Sequence, residues 1–81
     1  MGKGSKPIRY ALIVRDADGD QLNGTTSTQA IEGTRRMARQ ILRMLPGAAF
    51  VDVYHYDHQA CQMAPEPCEM VNLDQEGADD E

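Results

Sequence analysis

The chain has 81 residues, a formal net charge of −5, no Trp, one Phe and three Tyr. This excludes a large aromatic core and leaves one small domain, near the lower limit of what folds alone on aliphatic and Met side chains. No apolar run approaches the roughly 18 residues of a membrane span. Met1–Pro7 lacks the hydrophobic region of a signal peptide and reads as a loose arm. Two cysteines without such a signal point to a cytoplasmic protein with free thiols.

The net charge hides an asymmetry. All eight Lys and Arg lie between Lys3 and Arg43, where only four acids accompany them, so residues 1–50 carry +4. Residues 51–81 hold nine acids and no Lys or Arg. Such a split suggests an interaction tail or self-pairing of the two halves. It weighs against simple nucleic-acid binding, because the acidic half lowers the potential within a Debye length.

In chain order, Ile8–Arg15 alternates as a first strand, with Ile8, Tyr10, Leu12 and Val14 on one face and Arg9, Ala11, Ile13 and Arg15 on the other. Asp16-Ala17-Asp18-Gly19-Asp20 is a turn. A three-residue loop with Gly19 left-handed pairs Asp16 with Asp20 and Val14 with Leu22, which keeps Leu22 on the core side. The second strand, Asp20 to about Thr25, contains Asn23-Gly24 and suits a weak edge.

Thr26–Leu45 reads as one amphipathic helix, with Thr26 as N-cap of a capping box closed by Gln29, or with Ser27 or Thr28 capping in its place. At about 100° per residue, Ala30, Ile31, Thr34, Met37, Ala38, Ile41, Leu42, Met44 and Leu45 share one arc. Ile31, Met37, Ile41 and Leu45 are expected to hold the sheet, with Gly33 setting the approach. Pro46-Gly47 stops the helix. Ala49–Tyr56 is a third strand with Val51 and Val53 toward the helix, placed antiparallel beside the first in the order 2-1-3. Residues 57–67 read as loop, and Cys68–Leu73 as a candidate fourth, short strand. Asp74–Glu81 is expected to be a disordered acidic tail.

The expected fold is therefore α+β: a small ββαβ(β) domain over residues 8–73, with an antiparallel sheet and one helix on one face. The other face would present Ala11, Ile13, Phe50, Tyr54 and Tyr56, rimmed by Arg9 and Arg15, and a face that apolar is seldom left bare.

Candidate chemistry is sparse. Asp16, Asp18 and Asp20 resemble the start of a calcium loop, but position 21 is Gln where an EF-hand loop needs Gly, and position 27 is Ser where it needs Glu. A polar hairpin tip is the better reading. His55, His58, Cys61 and Cys68 are the only cluster of soft ligands; their spacing fits no common zinc module, so no metal and no cofactor is assigned. The two serines lie in no elbow motif and there is no phosphate-binding glycine loop, so no enzyme is expected. Arg35, Arg36, Arg39 and Arg43 form a basic strip interrupted by Glu32, most simply a solvated face with ion pairs.

These features lead to a non-enzymatic protein-binding, inhibitory or regulatory module. Its contact residues would be Arg35, Arg36, Arg39 and Arg43 on the helix and Ile13, Tyr54 and Tyr56 on the open sheet face. Self-association through that face or the weak edge is a further option. The alternative is a nucleic-acid binder that uses the arginine strip, with the acidic tail as autoinhibitor. A minimal α+β core with uneven charge resembles the small accessory proteins of phages and plasmids, anti-CRISPR inhibitors among them. The resemblance implies action by binding.

Overall fold

The computed structural model describes residues 6–73. The expected tail lies outside them, as does most of the expected arm. Six elements follow in order: β1 (Tyr10–Arg15), β2 (Gln21–Ser27), α1 (Ile31–Met44), β3 (Phe50–Asp57), β4 (Gln62–Met63) and β5 (Glu69–Val71). The sheet is antiparallel with the order β2-β1-β3-β4, and β5 also pairs with β3. The expected 2-1-3 order and the single helix on one face are both present. β5 is the candidate fourth strand, paired Val51 to Val71. β4 falls in the stretch read as loop and takes the far end of β3, at Tyr56 and Asp57. No described helix is long and apolar enough to cross a membrane.

Alternation along the strands builds the core. Leu12, Val14, Val51, Val53 and Val71 face the helix and are almost fully buried. From α1, the side chains sealed against them are Thr34, Ala38 and Leu42, while Ile31, Ile41 and Leu45 flank the contact. Of the expected anchors, Ile31, Ile41 and Leu45 thus pack against the core while staying partly exposed, and Met37 does not join it. Thr34 and Ala38, both with no exposure, set how closely α1 approaches the sheet. Gly33 does not: a Cβ there would run into the side chain of Gln29, inside its own turn region. Met44 is 73 % exposed.

Two expectations at the β2–α1 junction are overturned. The capping box at Thr26 is absent because β2 continues through Ser27, held opposite Tyr10. The helix starts at Ile31 with Ala30 as an N-cap that supplies no side-chain bond. Ser27 stands in from a distance. Its Oγ accepts the Gln29 N–H at 3.1 Å and lies 2.8 Å from the Thr34 Oγ1, which reaches the Gln29 carbonyl at 3.3 Å. Ladder pairing and this buried hydroxyl ring outweigh a local cap that would have ended the strand early.

The hairpin loop keeps its expected tip but not its register. Gly19 is left-handed at φ 89° and the Asp16 N–H donates to the Asp20 carbonyl. One step further the ladder slips: Arg15 pairs with Gln21 and Val14 with Asn23, so Leu22 is the extra residue of a bulge. Leu22 is consequently exposed rather than in the core.

The turn after β3 holds the one non-glycine residue with positive φ among those described, Cys61 at 54°. Asp57 Oδ1 shapes this turn by accepting the N–H groups of Gln59 and Ala60. Left-handed backbone crowds Cβ against its own carbonyl. Cys61 already bears that cost and a β-branched side chain adds a second γ substituent to it, so Cys61→Val is expected to lower stability by about 1 kcal/mol and Cys61→Gly to leave it equal or higher, in urea titrations followed by circular dichroism. A valine variant as stable as the parent would contradict this account.

Candidate protein-binding surface

Residues opposite each other in a ladder share a face. Ala11, Ile13 and Arg15 lie opposite Tyr54, Asp52 and Phe50. Asp52 in turn lies opposite Met70, and Tyr56 opposite Met63. These residues form the sheet face away from α1, whose core partners all have the other parity. Ala11 and Tyr54 are sealed by their neighbours, Tyr54 being only 8 % exposed. Ile13, Phe50 and Tyr56 are half-buried, and Met63 and Met70 are 41 % and 45 % exposed. No described element covers this row.

The Arg15 guanidinium is built into this face. Arg15 donates from Nε to Asp52 Oδ2 at 2.9 Å, from Nη1 to the Gly19 carbonyl at 3.0 Å and from Nη2 to the Tyr54 hydroxyl at 3.4 Å. The Tyr54 hydroxyl, then the Asp52 carboxylate, hold its pKa above the ordinary guanidinium value. The group is a fixed charge at every accessible pH. Both partners of the ion pair are partly exposed, so its contribution to stability is small. It links the hairpin tip, the Arg15 side chain and the tyrosine ring.

Of the residues singled out in the sequence, Ile13, Tyr54 and Tyr56 meet on this face, but Tyr54 offers little surface. On the helix, Arg35 is turned aside. It forms a two-pronged pair with Glu69, at 2.7 and 3.2 Å, which ties α1 to β5. Arg36 and Arg43 are exposed and Arg39 half-buried, so the basic strip is shorter than four residues. Met63 and Met70 escaped sequence reasoning. Their position on the open face depends on pairing with β3, which no local pattern displays.

The soft-ligand array does not assemble. His55 stacks on Tyr10 with ring centroids 5.3 Å apart, and His58 Nδ1 accepts the Ile8 N–H at 3.0 Å. Among the described residues, the one group of three or more ligand-type side chains within mutual reach is Asp16, Asp18 and Asp20, with atoms inside 4.8 Å. Asp16 Oδ1 already accepts the N–H groups of Asp18 and Asp20, which is the bonding of a hairpin tip. Cys68 is exposed as a residue, yet partial burial of its thiol, followed by the Glu69 carboxylate, pushes its pKa up. A thiol held protonated at neutral pH is a poor nucleophile.

On the helix side, a groove of about 510 Å³ runs between α1 and β2, floored by Val14, Asn23, Gly24 and Thr25 and walled by Met37, Ile41 and Met44. Met37 and Met44, expected in the core, line this groove instead. The chain matches no known family model, no curated protein and no solved structure.

Proposed function

We propose that this protein is a non-enzymatic binding module that engages a protein partner through the open face of its sheet. The observation that carries the reading is the uncovered row Ile13, Phe50, Tyr56, Met63 and Met70, set around the fixed Arg15–Asp52 pair. Aromatic and Met side chains bring large apolar area at moderate entropic cost, and Met adapts its shape to a partner. The buried tyrosine and the ion pair keep the backbone beneath them rigid. The partner would present apolar side chains to this row and a carboxylate or carbonyl to Arg15.

Affinity capture followed by titration of the purified captured protein tests this. Ile13→Glu with Met70→Glu, both at partly exposed positions, is expected to weaken binding at least about tenfold, because two charges would be desolvated in an apolar contact. Unchanged affinity in a variant of native circular dichroism would reject the surface. Retention on a single-stranded oligonucleotide that falls with salt and disappears with Arg36→Glu would favour the nucleic-acid reading instead.

A further inference from the structure

The free edge of β2 supports a second inference, independent of the open face. β2 ends the sheet order, pairs on one side with β1 and, among the described residues, with no strand on the other; the Gly24 N–H donates to the neighbouring Asn23 Oδ1 at 2.8 Å, a local bond that a carbonyl of an added strand would replace. Six of its seven residues are exposed. Proteins protect such edges with charges, prolines or bulges along the strand. Gln21–Ser27 contains no charged residue and no proline, and its bulge lies at the hairpin end, which leaves Asn23 to Ser27 in regular register. The apolar groove opens beside this edge, with Met44 and Leu22 exposed nearby. A strand laid along β2 would gain main-chain bonds and place alternate side chains beside Met37 and Met44.

Charge identifies the occupant. One end of β2 adjoins the acidic hairpin tip, Asp16, Asp18 and Asp20. The other adjoins exposed Lys6 and Arg9, whose N–H donates to the Ser27 carbonyl at 2.8 Å. Two copies of β2 laid antiparallel bring the acidic tip of each against the basic end of the other, twice by symmetry. The acids of β3 and β5 lie beyond β1 in the strand order, on the far side of the sheet from this seam.

We infer that the chain forms a two-fold symmetric homodimer by antiparallel β2–β2 pairing about Gly24, joining two sheets into one. The contact is isologous and closes on itself, so it ends at two copies rather than a fibre. Both helices lie on one side of the joined sheet, and the two grooves merge into a trough floored by both β2 strands. Both open faces then point the same way.

Light scattering on the full chain from about 5 to about 500 µM tests the inference. The mass is expected to rise from 9.0 kDa toward twice that value. Thr25→Lys with Thr26→Lys should hold the monomer mass across the range, with circular dichroism unchanged. Charge reversal at sites outside the strand gives a second measure: Arg9→Glu alone and Asp20→Lys alone should each raise the dimer Kd at least about threefold, and the double reversal should recover most of the loss. A chain that stays at 9.0 kDa throughout overturns the inference. So does a dimer indifferent to the lysines, or one in which the double reversal is as weak as the two single losses combined.

Discussion

Replacing Leu12 with alanine is expected to cost about 2–5 kcal/mol, the range for deleting a fully buried leucine. Leu12 has no exposed surface and sits on β1, a strand paired on both sides, opposite Thr25 on β2 and Val53 on β3. It belongs to the same buried cluster as Val14, Val51, Val53, Ala38 and Leu42, most of which lie on paired strands. Rigid sheet neighbours hold a cavity open, and that places the cost toward the upper part of the range. A chain of this length has a total stability of about 4–12 kcal/mol, so one substitution removes a large share. Urea unfolding followed by far-ultraviolet circular dichroism measures it; a loss under about 1 kcal/mol would mean that Leu12 is not the centre of the core.

The second large effect belongs to the hydroxyl ring between β2 and α1. Ser27 and Thr34 are both buried. If Thr34 donates to the Gln29 carbonyl and Ser27 accepts the Gln29 N–H, the remaining Ser27 proton must point at Thr34 Oγ1. Every hydroxyl group then both donates and accepts. Thr34→Val keeps the volume but strands the Ser27 proton and removes a partner of the Gln29 carbonyl, at an expected cost of about 1–3 kcal/mol. Ser27→Ala strands the Gln29 N–H and leaves Thr34 Oγ1 without its donor, with a similar expected loss. The double variant should be less destabilised than the two losses added, because each single change already breaks the shared bond. Additive losses would show that the two hydroxyls act independently.

Leu12→Ala and Thr34→Val change no residue of the open sheet face or of β2. They therefore separate stability from recognition. A Leu12 or Thr34 variant that retains its fold at low temperature should bind as the parent does, whereas the surface variants should lose binding without losing stability. The exposed positions Met70, Thr25 and Thr26 support that division.

Strand faces and the apolar face of the helix were legible in the sequence because each rests on a local period, and the 2-1-3 strand order because short connections favour it. The two-residue alternation of Tyr10, Leu12 and Val14 names their face whatever they pack on. The 3.6-residue period of Ile31, Thr34, Ala38 and Leu42 does the same for the helix. The left-handed Gly19 followed from the absence of a Cβ, and the stop at Pro46-Gly47 from lost bonding and left-handed backbone.

What tertiary structure decided was register and contact between elements distant in the chain. The bulge at Leu22, the extension of β2 through Ser27 and the choice of Thr34 and Ala38 over Met37 each depend on which neighbour arrives across the ladder. So do the capture of Arg35 by Glu69, 34 residues away, and the placing of Met63 and Met70 on the open face. Arg35 and Arg36 are adjacent cations in the chain. Only the arrival of β5 makes one a tie between elements and leaves the other on the exposed helix surface. Local patterning specifies what each segment can bury; the competition among partners for the same buried space and the same hydrogen bonds specifies what it does bury.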